Sequence, residues 1–178
     1  MILVFHKPTG LVFRAVEWLL IISMVMMANV CLADNPMPKI DPDTAIYEVP
    51  VEQGVSYDDV ILSLKTTSEG MNFVNPANFP IGEHMKSRGQ NPQGILEVRA
   101  FCNLGYGAEI MLDHPEFVVF APCRIAIYER QHQLYLAIDR PTYDLKSVKN
   151  PTARAKKAAQ SLEDGLIQIL DKARKGDI

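Results

Sequence analysis

Cysteine is scarce, with three in 178 residues, too few for the dense disulfide frameworks that staple small exported domains. Basic residues are short as well. Eighteen Lys and Arg against 21 Asp and Glu leave a formal charge of −3, which argues against sequence-blind nucleic-acid binding through phosphate neutralisation. There is no nucleophile-elbow serine and no phosphate-cradling glycine loop. The Cys and His residues lack the paired short spacing of zinc sites, and no Cys-x-x-Cys-His is present for covalent haem. Internal repeats, heptads and low-complexity tracts are also missing.

Only one long apolar run exists, residues 18–28, interrupted by Ser23. It is shorter than the roughly 20 residues a spanning helix needs. Lys7 and Arg14 precede it and Cys31-Leu32-Ala33 follow, the pattern of a secretory signal peptide cut after Ala33. Residues 1–33 are therefore read as a leader, discarded together with Cys31, and the mature chain as periplasmic or secreted with no membrane attachment. Loss of Lys7, Arg14 and Glu17 keeps the remainder mildly acidic. Residues 34–45, with prolines at 36, 38 and 42, read as a flexible linker, and residues 46–178 as one domain of ordinary size.

Within that domain Ile46, Glu48, Val49 and Val51 suggest a strand. Ser56 with Asp59 forms a near capping box for a helix that buries Val60, Ile61 and Leu64 and ends at Gly70. Residues 75–93 are rich in Pro, Gly and Asn and read as a long ordered loop, a feature that is usually functional in a compact domain. A strand over Ile95, Leu96, Val98, Ala100 and Phe101 ends at Cys102. Asn103 caps a short helix that stops at His114-Pro115. Residues 117–128 read as one long strand, and Leu134, Leu136 and Ile138 as its hairpin partner across the Gln131-His132 turn. Asn150-Pro151 opens a long helix whose Ala155, Ala158, Ala159, Leu162, Leu166, Ile169, Leu170 and Ala173 share one face, with Gly176 closing it. Glu163-Asp164 and Asp58-Asp59 read as helix-surface pairs. Strands alternating with helices, and a terminal hairpin, predict an α+β fold: one mixed sheet of about five strands covered by two or three helices.

The stretch from Gly94 to Tyr128, with Cys102-Asn103 and Pro122-Cys123-Arg124-Ile125-Ala126-Ile127-Tyr128-Glu129, resembles the signature of the domain-of-unknown-function 302 family. The likeness extends more weakly over residues 46–70. It implies a small α+β domain, often paired as a homodimer, without an established activity. The proline- and glycine-rich residues 75–93 depart from the family pattern.

Three chemistries remain open at this level. Cys102 and Cys123 are a candidate disulfide or redox pair: a strand-to-helix junction lowers a thiol pKa, and an oxidising compartment favours their bond. A staple and two separate buried thiols are the plainer alternatives. Cys102, His114, Cys123 and His84 are candidate donors for a metal or non-covalent haem. Asn103, Arg124, His84, Arg88 and Phe79 are candidate ligand-binding residues. Together these point to a binding module for an unknown small ligand or protein partner, rather than an enzyme, using the face around Cys102 and Cys123 and the 75–93 segment.

Overall fold

Five strands form one sheet in the computed structural model, which describes residues 35–178; the leader lies outside the described residues. The strands are β1 (Ile46–Pro50), β2 (Val74–Phe79), β3 (Leu96–Cys102), β4 (Cys123–Arg130) and β5 (Gln133–Asp139), in the order β1-β5-β4-β3-β2. Every pairing is antiparallel, where a mixed sheet was expected. The reason lies in the connection after β3. It turns through α3 (Leu104–Met111) and a 3-10 helix over Pro115–Phe120, so the chain re-enters beside β3 in the opposite direction. That 3-10 helix occupies what the apolar pattern presented as the first half of a long strand; β4 begins only at Cys123.

Helices α1 (Tyr57–Gly70) and α5 (Ala153–Lys175) cover one side of the sheet. Ser56 and Asp59 form the full reciprocal capping box that starts α1, satisfying two backbone donors at once. Thr152 caps α5, whose apolar stripe is buried along its length, and Gly176 ends it at φ +70°, a left-handed conformation natural to glycine. The two-residue turn between β4 and β5 places Gln131 and His132 both at positive φ, the backbone a tight twisted hairpin requires. Short helices α2 (Ile81–Lys86) and α4 (Pro141–Asp144) complete the set.

The core lies between sheet and helices. Tyr47, Val49, Phe101, Ile125, Ile127, Leu136 and Ile138 meet Val60, Leu64, Leu162, Leu166 and Ile169 there. Among the described residues no long helix covers the other side of the sheet, where Glu48, Val98, Ala126, Tyr128, Ala137 and Asp139 line a furrow.

Met37–Ile178 forms one compact unit. Its first residues, expected as a tether, lie along the domain: Pro38 O accepts from Tyr47 Oη (2.8 Å), and Asp41 O and Thr44 O accept from Arg140 Nη1 (2.6 and 2.9 Å). Glu163, expected on the surface, is buried and pairs with Arg140, whereas its neighbour Asp164 stays outside and accepts from Gln160. Among the described residues no helix is long and apolar enough to cross a membrane.

Candidate functional site

The two cysteines sit one step apart in register but face opposite ways. Phe101 is the cross-strand partner of Cys123, and both pack with the core. Alternation then turns Cys102 away from Cys123, toward a cleft lined by Asn72, Val74, Asn103 and Tyr106. Both thiols are free. Burial pushes Cys123 up to about 12, helped by the nearby Asp139 carboxylate, and burial also raises Cys102. The expectation that the α3 terminus would activate Cys102 fails for a physical reason. Burial raises the thiol, and one of the unpaired N–H groups in the first turn of α3, that of Tyr106, already donates to Asn103 Oδ1 (3.2 Å). Asn103 spends its other polar atom as well, donating from Nδ2 to Met71 O (3.4 Å).

The 75–93 segment is not a loop laid beside the cysteines. It folds as the edge strand β2, the helix α2 and a connection into β3. Gly82 of α2 sits against Leu96 at the start of β3, where a Cβ would come within 3.3 Å of Leu96 O. Cys102 ends the same strand, ~20 Å away at about 3.3 Å per residue. His84 and Arg88 are exposed on and just after α2, so the structure does not bring them to Cys102 and Cys123. His114 is held elsewhere: its Nε2 accepts from Thr152 N (3.1 Å) at the start of α5. No group of three or more His, Cys, Asp or Glu able to hold a metal occurs among the described residues.

Phe79 and Arg124 do share a surface, the helix-free face. The register runs Phe79, Val98, Ala126, Ala137, Glu48 across all five strands, and Ala77, Ala100, Arg124 in the adjacent row. Ala126 and Ala137, side by side in the first row, leave a furrow of about 480 Å³, within the range of small-molecule sites. Alanine is a poor strand former, and no core packing calls for it here. Each end of the furrow holds a closed ion pair. Arg124 donates to Asp139, including Nε to Oδ2 at 3.0 Å. Arg130 pairs with Glu48 (2.8 Å) and lies over Tyr135, which stacks on Tyr128 at 5.7 Å; Tyr128 Oη donates to Glu48. The furrow is thus apolar along its floor and neutral at its rim.

Beside Arg124 the Asp144 carboxyl is raised to about 6, chiefly by burial and secondarily by Asp139, with Arg124 opposing. A carboxyl held above its unfolded value of about 3.9 destabilises the fold when ionised. Stability is therefore lost as pH rises from about 4 through about 6. After discounting for partial exposure, the effect is about 1 kcal/mol. Urea titrations at pH 4.5 and 7.5 should show Asp144→Asn more stable relative to the parent at the higher pH only; an equal difference at both pH values would refute this.

A second polar cluster lies on the helix side and was not legible as a site. Tyr57 Oη donates to Glu97 Oε2 (2.9 Å), Arg99 Nε to Glu97 Oε1 (2.8 Å), and Arg99 Nη2 to Tyr57 Oη (3.3 Å). Forty residues separate Tyr57 from Glu97, so no local motif announces the group.

A five-stranded antiparallel sheet backed on one side by helices defines the α+β class. The model of the Domain of unknown function DUF302 family matches residues 47–173, and the chain belongs to that family. An uncharacterised protein of Aquifex aeolicus (strain VF5) is 33% identical over 96 residues. That match covers 54% of this chain and 60% of the relative, so the chain spans less than two thirds of that curated relative's length. The crystal structure of an uncharacterised conserved DUF302 protein from Bacillus stearothermophilus superposes with a TM-score of 0.66 at 19% identity. It covers 73% of this chain and 98% of that one, a likeness of fold.

Proposed function

We propose that the chain is an exported binding module that holds a small, largely apolar and net-neutral molecule in the furrow on the helix-free side of its sheet. The observation that carries this reading is the furrow itself: a floor of alanines and Val98 between rims whose charges are already paired. A charged ligand would have to break a rim pair, whereas an apolar one gains from burial alone at about 25 cal/mol per Å². Export rests on the leader pattern of residues 1–33. Thiol exchange has less support, since both thiols are held protonated by burial and the thiolate is the reactive form.

Nile red, a neutral apolar dye, tests the furrow directly. Saturable binding of one dye per chain is expected, weakened on the order of tenfold by Ala126→Leu through loss of the cavity, with an unchanged unfolding midpoint. Dye binding indifferent to Ala126→Leu would overturn the assignment. So would sedimentation showing a dimer whose dissociation is needed before dye binds, because a second copy of the chain would then be the occupant.

A further inference from the structure

The cluster around Arg99 lies across the sheet from the furrow, and we infer that it is a separate site for a small apolar α-amino acid. Sheet alternation places Glu97, Arg99 and Phe101 toward the helix layer, so two charged side chains occupy positions where apolar ones are the rule. They are shielded, with side-chain exposures of 13% and 18%. Burying such a pair gives little net stability compared with hydrophobic residues of similar size, so stability alone is a poor reason for its presence. What the triad does accomplish is orientation. Glu97 holds Nε and Tyr57 holds Nη2, which fixes the guanidinium plane and leaves the two donors of Nη1 without a protein acceptor among the described residues.

Beside Arg99 opens a cleft of about 210 Å³ between α1 and β2. That is below the ~300 Å³ at which drug-sized sites begin, which restricts an occupant to a small molecule. Its floor is apolar, made by Ile61, Leu64 and Phe101. Its rim carries one charge of each sign, Lys65 and Glu69, and no ion pair joins them although they stand four residues apart on α1. Asn78, the cross-strand partner of Arg99, adds an amide with no side-chain bond among the described residues.

The unspent groups are therefore of both kinds. Arg99 Nη1, Lys65 Nζ and the Asn78 amide can hold a carboxylate, and the Glu69 carboxylate can hold an ammonium. The apolar floor takes a side chain of valine or leucine size. A simple anion would meet repulsion from Glu69, a simple cation from Lys65 and Arg99; a zwitterion with an apolar tail satisfies all three features. Tyr57 and Glu97 are positioning residues that act through Arg99.

Calorimetric titration of the full chain with three probes that share one isobutyl tail reads this out: L-leucine, 4-methylpentanoate, which lacks the ammonium, and isoamylamine, which lacks the carboxylate. L-leucine should bind with a dissociation constant on the order of 0.1 mM, in keeping with so few atoms. The other two should bind on the order of tenfold more weakly, the cost of one charge-assisted hydrogen bond. Lys65→Ala and Glu69→Gln, both at the exposed rim, should each weaken L-leucine by a similar factor with folding intact. Glu69→Gln should leave 4-methylpentanoate binding equal or stronger. Arg99→Met paired with Glu97→Gln should weaken L-leucine on the order of tenfold or more while leaving isoamylamine unchanged, without leaving a lone buried charge. If L-leucine shows no heat at millimolar concentration, the site is refuted. If 4-methylpentanoate binds as tightly as L-leucine, the amino-acid assignment is overturned. Neither outcome touches dye binding in the furrow, so the two sites stand or fall separately.

Discussion

Replacing Glu163 with alanine is expected to cost about 3–5 kcal/mol, because it leaves the Arg140 guanidinium buried without its counter-charge. Glu163 is 1% exposed and Arg140 7%. The carboxylate accepts from Arg140 Nε (2.9 Å), from Thr142 N (3.0 Å) and from the Thr142 hydroxyl. Arg140 in turn donates to the backbone at Asp41 and Thr44. One ion pair thus ties α5, the end of β5 and the approach to β1 together, and its loss should be felt in all three. Replacing both partners, Glu163→Leu with Arg140→Met, should recover most of the loss, since the apolar pair leaves no orphaned charge. Urea unfolding of the single and double variants checks this. A single variant within 1 kcal/mol of the parent, or a double variant worse than the single, would show that the pair is not what holds this junction.

The same pair shows where sequence reading stops. Glu163 stands beside Asp164 in a long helix and, four residues after Ala159 and three before Leu166, falls on the apolar stripe where Asp164 does not, but no short window shows the partner that a buried carboxylate requires. Only the arrival of Arg140, 23 residues upstream, buries one of them. Features written in short windows were legible: the Ser56 and Asp59 box, the Asn103 cap, the apolar stripe of α5 with its Gly176 stop, and the β4–β5 hairpin.

Strand β3 misled for a related reason. Leu96, Val98 and Ala100 alternate as a buried face would, yet they turn to the helix-free side, while Glu97, Arg99 and Phe101 turn inward. A sheet with an apolar open face reads the same from either side, and one residue of register decides which set is buried. Both candidate sites were hidden by that inversion. The furrow needs β1 and β3 in register beside the β4–β5 hairpin before Glu48, Ala137, Ala126 and Val98 form one row, and the Arg99 cluster needs α1 to bring Tyr57 across. The cysteines drew attention because they are few, and their context marked the family more surely than any chemistry.

Phe73 offers the second large effect, with a change of sign as its signature. Its ring is 2% exposed and packs on Gly165 in the middle of α5. A glycine at a helix centre costs about 1 kcal/mol relative to alanine, so its presence needs a local cause. A Cβ at position 165 would lie 3.0 Å from Phe73 Cε2 and Cζ, tighter than van der Waals contact allows. Phe73→Ala should therefore cost about 3–5 kcal/mol, the range for a buried aromatic truncated to a cavity. Gly165→Ala alone should destabilise by about 1 kcal/mol, overpacking against Phe73 exceeding the gain in helix propensity. In the Phe73→Ala background the obstruction is gone, and the same substitution should stabilise by up to about 1 kcal/mol, propensity acting unopposed with part of the cavity filled. A double-mutant cycle by thermal and urea unfolding measures the coupling directly. Should Gly165→Ala have the same sign in both backgrounds, the aromatic contact is not the reason for the glycine, and the packing of α5 on the end of α1 must be held by other residues.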